Sequence, residues 1–263
     1  MKTPAQISPA SAGTTATQGS SVASGGGAGV YTSTKVQLVA STDTDYAGLW
    51  ATMSEGTSIG SLFKLYVGGS GSEVEIAELI GSASAQNHCP VFVPIHVPAG
   101  SRVSAAKADS DGFGATARIH VTPVRGSSYA PLVSRGIAIG VTSGALPNVD
   151  AGATANTKSA WVELIASTAR DAKGFTLCGW GDASCDTSVR LHIDVGVGAS
   201  GAEQIIFADA GASQVSYRTE LIGLPLGPVW TPIPAGSRVA VRVQCSSTSA
   251  NSRIPRLGLI LWE

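Results

Sequence analysis

Hydrophobic and polar residues alternate along many short stretches of the chain, as they do in half-buried β-strands. In the clearest stretch Val239, Val241, Val243 and Cys245 alternate with polar or small residues. Weaker examples occur at 36–40, 63–67, 117–121, 136–141, 162–166, 189–195 and 257–261. We find no long stretch with the period of an amphipathic helix. The pattern therefore predicts an all-β protein.

These strand-like stretches fall into two sets, because parts of the sequence are repeated. The hexapeptide at 98–103 returns unchanged at 234–239. Another shared segment lies upstream of each copy, at 36–42 and 162–168, and an aspartate and a glycine follow both at the same spacing. Internal repetition of this kind predicts that one domain occurs twice in tandem.

The repeated hexapeptide has the chemistry of a tight turn that leads into a strand. Proline suits the second position of a type I turn, and glycine suits the fourth. The arginine that follows is interpreted as a solvated edge residue, with a ligand contact as the alternative. The residues concerned are Pro98, Gly100 and Arg102 in the first copy and Pro234, Gly236 and Arg238 in the second.

About eight short strands in each copy indicate two tandem duplicated β-sandwiches, with the jelly roll as the leading topology. We place the first sandwich at 31–125, and a linker with the second sandwich at 126–263. Residues 1–30 are rich in Ala, Gly, Ser and Thr. That composition predicts an extended N-terminal arm, which we expect to lie against a neighbouring subunit.

The composition excludes several classes of partner. Charged residues make up 13% of the 263-residue chain and the net charge is −1, so nothing indicates a nucleic-acid-binding surface. No segment is apolar over the length that a membrane span requires, which predicts no membrane insertion. The N-terminus lacks the apolar segment of a signal peptide, so we expect synthesis in a cytoplasm.

Two short motifs resemble catalytic or cofactor-binding signatures. The segment 56–60 matches a nucleophile elbow around Ser58, and 196–201 matches a dinucleotide-binding glycine pattern. Both motifs need a following helix that an all-β chain does not offer. We therefore expect no catalytic residue, no bound cofactor and no enzymatic activity.

Metal sites and disulfides are not indicated either. The four histidines lack ligand spacing, and the four cysteines do not correspond between the copies. We interpret the cysteines as small buried residues, with a Cys178–Cys185 bridge as the alternative. Glu73 and Glu203 each follow a glycine-rich turn, where we expect them to accept hydrogen bonds from turn amides, the alternative being a calcium loop.

Exposed aromatic rings are the side chains that would stack on sugars, and the chain contains five tryptophans. Trp180 lies between two glycines in an apparent loop, so we expect it to be exposed. With Asp182, two residues later, it forms a candidate glycan contact.

Some of the repeated segments resemble β-sandwich modules in virion proteins of tailed bacteriophages. The resemblance rests on 161–168 with Asp171 and Gly174, on 196–203 and on 233–239. The first copy matches through 36–42, 68–73 and 97–103, but Lys35 stands where the second copy has a tryptophan. The resemblance covers about four-fifths of the chain. It offers no catalytic residues.

The resemblance implies a structural component of a phage particle, in a tail or neck fibre or in capsid decoration. The expected location is then the virion, and the partners are other virion proteins and further copies of this chain. The arm would attach the protein to the particle by adding extended backbone to a neighbour. The alternative is a carbohydrate-binding adhesin that recognises a glycan on a cell surface.

Overall fold

The computed structural model describes residues 19–55, 61–81, 89–109, 116–125, 133–142, 145–181, 185–215, 221–222, 224 and 227–263. In these segments the all-β prediction is confirmed, and the only regular elements are sixteen strands. The described part of the chain has no helix that could cross a membrane. The first eight strands are β1 (Ser20–Ala23), β2 (Val36–Val39), β3 (Gly48–Glu55), β4 (Ser61–Gly68), β5 (Val74–Ile80), β6 (Cys89–Val93), β7 (Arg102–Asp109) and β8 (Thr116–Val124). The others are β9 (Gly136–Ile139), β10 (Val162–Ile165), β11 (Gly174–Trp180), β12 (Val189–Val197), β13 (Gln204–Gln214), β14 (Leu221–Ile222), β15 (Val239–Cys245) and β16 (Arg256–Trp262).

The first eight strands form a jelly roll. One sheet has the order β1-β8-β3-β6, and the other runs β2-β7-β4-β5 with antiparallel pairing throughout. Two facing four-stranded sheets connected in this order are the jelly-roll arrangement. The leading topology inferred from the sequence is therefore confirmed for this half.

The second half repeats most of these pairings. Its strands pair in the orders β9-β16-β11 and β10-β15-β12-β13, which match β1-β8-β3 and β2-β7-β4-β5 one for one. The halves differ in two places: β14 adds to β13, and a single bridge between Phe175 and Val229 takes the place of the β3–β6 pairing. That one domain was copied to make the other stays a prediction.

Strand β9 joins the two halves. It pairs antiparallel with β16 on one side and parallel with β5 on the other, where Ala77 is opposite Gly136. A seven-stranded sheet, β11-β16-β9-β5-β4-β7-β2, therefore runs through both sandwiches.

Alternation along the strands builds two hydrophobic clusters. In β3, for example, Leu49, Ala51 and Met53 are fully buried, while Trp50 and Thr52 are half-buried on the other face. The second cluster consists of residues from the second half alone. The first cluster also contains Cys178, Trp180, Ile260 and Trp262 from the second half. The two sandwiches consequently share apolar contacts at their joint.

The boundary of the predicted N-terminal arm is wrong at its C-terminal end. Residues 20–23, which composition places in the arm, form β1 and pair with β8 in the first sandwich. Val22 is fully buried there. Residues 1–18 lie outside the described part of the chain.

Candidate functional site

The repeated hexapeptide forms a tight turn in both sandwiches, but its register differs from the prediction. The Ser101 N–H donates to the Pro98 carbonyl at 3.3 Å, and Ser237 does the same to Pro234. Proline is thus the first residue of the turn and glycine the third. Gly100 and Gly236 have φ values of +75° and +79°. A positive φ at the third position belongs to a type II turn, which favours glycine there.

The two repeated segments of each copy bind each other. In the first copy the Thr42 hydroxyl donates to the Pro98 carbonyl at 2.6 Å and accepts from the Ser101 N–H at 2.9 Å. The Ala99 N–H donates to the Asp45 carboxylate at 2.8 Å. The matching bonds of the second copy are Thr168 to Pro234, Ser237 to Thr168 and Ala235 to Asp171. This mutual capping gives both segments a structural role.

The arginines of the hexapeptide are ion-paired, so the interpretation as solvated residues is wrong. The guanidinium of Arg102 lies 3.1 Å from the Glu73 carboxylate, and that of Arg238 lies 2.7 Å from Glu203. Arg238 also binds Glu163 at 2.6 Å. The side chains of Glu73 and Glu203 are only 3% and 2% exposed. Both guanidinium groups are therefore engaged within their own sandwich.

The same two glutamates bind their glycine turns. The Gly71 N–H donates to Glu73 at 3.1 Å, as expected from the sequence. The backbone N–H of Glu73 itself, and then the charges of Arg102 and Lys35, hold the pKa of Glu73 below its usual value, although burial opposes ionisation. Burial also opposes ionisation of Glu203, but its own N–H and Arg238 outweigh that effect and lower its pKa. Both carboxylates are therefore ionised parts of the scaffold.

A second ionic cluster, centred on Asp194 in β12, is not apparent from the sequence. Its carboxylate accepts hydrogen bonds from Lys158 at 2.7 Å, Arg242 at 2.8 Å and the Asp209 N–H at 2.9 Å. Burial raises the pKa of a carboxyl group, but these donors outweigh it and hold the pKa of Asp194 below its usual value. The side chain is 2% exposed, so the cluster leaves it no access for a ligand.

Each sandwich has an aromatic ring with a cation over it in the same region of its surface, but different residues supply the ring. In the first, the Lys35 ammonium lies 4.2 Å from the centre of the Tyr66 ring. In the second, Trp161 replaces the lysine and lies over Gly196, where a Cβ would be 2.7 Å from the indole. Arg242 covers the Trp161 ring at 4.6 Å. A cation already occupies these ring faces, so they are not open for stacking.

The expectation that Trp180 is exposed is wrong. Trp180 is 3% exposed and belongs to the first hydrophobic cluster, where it helps to form the joint between the sandwiches. A flanking glycine predicted a loop, but Gly179 lies in β11 with Trp180. Asp182 lies outside the described residues. Trp180 therefore offers no ring for a glycan.

The other tryptophans separate clearly by exposure. Trp262 is fully buried, and its indole N–H donates to the Thr176 hydroxyl at 2.9 Å. Trp50 and Trp161 are half-buried, and Trp50 packs against Phe92 with 5.2 Å between ring centroids. Trp230 is 40% exposed, which makes it the exposed member of the five. The structure thus moves the candidate aromatic contact from Trp180 to Trp230.

Trp230 stands on a fixed segment of backbone. On one side Val229 and Phe175 exchange both backbone hydrogen bonds, at 2.7 and 3.0 Å. On the other, Ile233 and Ala172 exchange both of theirs at 2.8 Å. Gly174 leaves room for the ring, because a Cβ there would lie 2.9 Å from the indole. The exposed indole is therefore held in place by β11. Its exposure could not be inferred locally, since nothing in the flanking sequence separates it from Trp50.

In the described residues, the motifs, histidines and cysteines considered as catalytic, cofactor or metal sites form no such site. Ser58 and His88 lie outside the described residues, and 198–201 is the glycine turn between β12 and β13. The described part of the chain contains no group of three or more metal-ligating side chains. Cys178, Cys185 and Cys245 are all buried, and the thiol of Cys185 is in no disulfide, so the alternative of a Cys178–Cys185 bridge is wrong. Cys185 instead lies near Ser252, at 3.4 Å from its hydroxyl.

Comparison with known proteins adds only distant likenesses. No protein-family model matches the sequence, and no curated protein matches it. The structure of PNGF-II matches over 94% of this chain with 11% identity and a TM-score of 0.34, and the chain spans 62% of that protein's length. The N-terminal CBM22-1-CBM22-2 tandem domain of Paenibacillus barcinonensis Xyn10C matches over 86% of this chain and 81% of its own length, with 11% identity and a TM-score of 0.24. At these TM-scores neither likeness supports a conclusion about function. The resemblance to phage virion modules stays a prediction.

Proposed function

We propose that this protein is a non-catalytic carbohydrate-binding protein and that Trp230 is its sugar-stacking residue. The observation that carries the proposal is the 40% exposure of this indole on backbone fixed to β11. An aromatic ring offers a large flat apolar surface to the C–H face of a sugar, and the indole N–H can donate to a hydroxyl group. Because the segment is already ordered, binding costs little conformational entropy.

The test is binding to a glycan array and to insoluble polysaccharides by the full chain and by Trp230→Ala. The native chain should bind at least one glycan, and its tryptophan fluorescence should change on binding. Removing the indole should weaken that binding at least about tenfold, since the loss of an anchoring aromatic residue commonly costs more than about 1.4 kcal/mol.

Val30→Ala is the matched control, because Val30 is a 51% exposed apolar residue far along the chain from Trp230. It should bind like the native chain. The proposal is wrong if the native chain binds no glycan, or if Trp230→Ala binds as tightly as Val30→Ala.

A structural role in a phage particle is the second candidate. The observation that favours an assembly role is the edge of β13, which lacks a strand neighbour over most of its length in the described residues. The copy number in purified particles is the measurement that bears on it: hundreds of copies indicate capsid decoration, and a few to tens indicate a tail or fibre. A deletion test of the anchor should remove residues 1–18 only, because β1 starts at Ser20.

A further inference from the structure

The second sandwich presents an open sheet edge. Strand β13 pairs with β12 along its length, but on its other edge only Ser213 and Gln214 pair with β14. Within the segments that the structure describes, no strand lies beside 204–212. Ile205 on this stretch is 46% exposed. A long edge with exposed apolar side chains is a template for another strand unless it is protected.

The corresponding edge of the first sandwich is occupied. In β4 and β5, Leu65 pairs with Ala77 and Tyr66 with Glu75, which leaves Ile76 as a bulge. In β12 and β13, Val195 pairs with Phe207 and Gly196 with Ile205, which leaves Ile206 as a bulge. Phe207 thus has the place of Ala77. Ala77 is the residue at which β9 adds to the edge of β5.

The joint also covers one face of the sheet that contains β9. Thr176 pairs with Ile260, and Gly174 pairs with Trp262, so these side chains share a face. Thr176, Ile260 and Trp262 are each 2% exposed or less. Ile260 and Trp262 belong to the hydrophobic cluster of the first sandwich. The first sandwich therefore buries this face when β9 docks on β5.

The equivalent face of the first sandwich is not buried in this way. There Trp50 pairs with Thr122, and Gly48 pairs with Val124, in the same register as Thr176 with Ile260 and Gly174 with Trp262. Trp50, Thr122 and Val124 are all half-buried. Strand β1 is the edge strand of this sheet. It corresponds to β9, the strand of the second half that lies next to the first sandwich. We call this surface the head and the edge at 204–208 the tail.

We propose that the head of one copy docks on the tail of a second copy of this chain, repeating between chains the joint that β5 and β9 make within one. The occupant of the β13 edge is thus a first sandwich. Head and tail are different surfaces, so the contact is heterologous and builds rings or filaments of more than two chains. A net charge of −1 gives little electrostatic repulsion between copies. The contact is separate from glycan binding and uses no residue of the Trp230 segment.

Sedimentation velocity of the full chain, without any glycan, tests the docking from about 1 µM to about 100 µM. The native chain should form species that grow with concentration beyond the dimer. Thr122→Arg on the head and Ile205→Asp on the tail should each weaken association at least about tenfold, since each buries an unpaired charge in the contact. Val30→Asp, a change at an exposed apolar residue outside both surfaces, should assemble like the native chain. Circular dichroism should show that all variants are folded.

Mixing the two variants gives the decisive result. Each retains one intact surface, so an equimolar mixture of Thr122→Arg and Ile205→Asp should form heterodimers that stop at two chains. A native chain that stays monomeric over this range would overturn the proposal. So would loss of association in Ile205→Asp alone, because that result indicates that two β13 edges pair with each other.

Discussion

At Gly100 and Gly236 the backbone has φ values of +75° and +79°, and a Cβ added at either position would meet no atom within 4 Å. Glycine is therefore required there for its conformation and not for lack of space. The roles of the neighbouring arginines, in contrast, depend on residues that are distant in the chain. The sequence places them correctly after the turn but does not show their ion-pair partners, the buried carboxylates of Glu73 and Glu203.

Gly100→Ala should lower the free energy of unfolding by about 1 kcal/mol, because a residue with a Cβ is strained at positive φ. Gly26→Ala is the control, since a Cβ there is also free of contacts and Gly26 lacks a positive φ. It should change the stability by less than about 0.5 kcal/mol. Urea unfolding monitored by fluorescence measures both. Equal effects of the two changes would contradict the role assigned to the turn.

At the scale of elements, the alternating pattern predicts strands well where one face is buried. β15 and β16 match their predicted stretches closely, because Val239–Cys245 alternates and 257–261 is apolar. β1 is missed, since Ser20–Ala23 contains one large apolar residue and owes its strand to pairing with β8. β9 is predicted from its sequence. Its pairing with β5 is not, because register between distant strands depends on packing.

The joint at β9 makes a specific demand on Gly136. A Cβ there would lie 2.4 Å from the indole of Trp262, so Gly136→Ala must displace a buried ring. We expect it to destabilise the protein by about 2 kcal/mol, in the range of overpacked cores. Gly211→Ala is the control in another strand, where a Cβ meets no atom within 4 Å, and it should be neutral or slightly stabilising. Thermal unfolding compares them, and an unchanged Tm for Gly136→Ala would contradict the tight fit.

At the scale of the whole molecule, the two sandwiches are linked by more than a hinge. Repetition in the sequence suggests two independent domains, each with its own core. The structure instead places Trp180, Ile260 and Trp262 of the second half in the hydrophobic cluster of the first. One seven-stranded sheet crosses the boundary. Separating the halves would expose these apolar side chains to water.

Calorimetry of the full chain should therefore show one cooperative unfolding transition, with calorimetric and van't Hoff enthalpies that agree. The reason is that unfolding of either half removes apolar contacts from the other. Two resolved transitions, one for each sandwich, would show that the joint contributes little to stability. Trp262→Ala should lower the Tm of the shared transition, because it removes a fully buried side chain from the first cluster.

The sequence by itself determined the all-β class, the places of the repeated turns and most of the strands, because alternation and turn chemistry act over a few neighbouring residues. The tertiary structure alone decided that Trp180 is buried and Trp230 exposed, that the arginines of the hexapeptide are ion-paired, and that the two sandwiches share a sheet. Exposure, ion pairing and sheet order depend on which distant residues pack over a position. Glu203 and Arg238 are 35 residues apart in the chain, and no local pattern records that they meet.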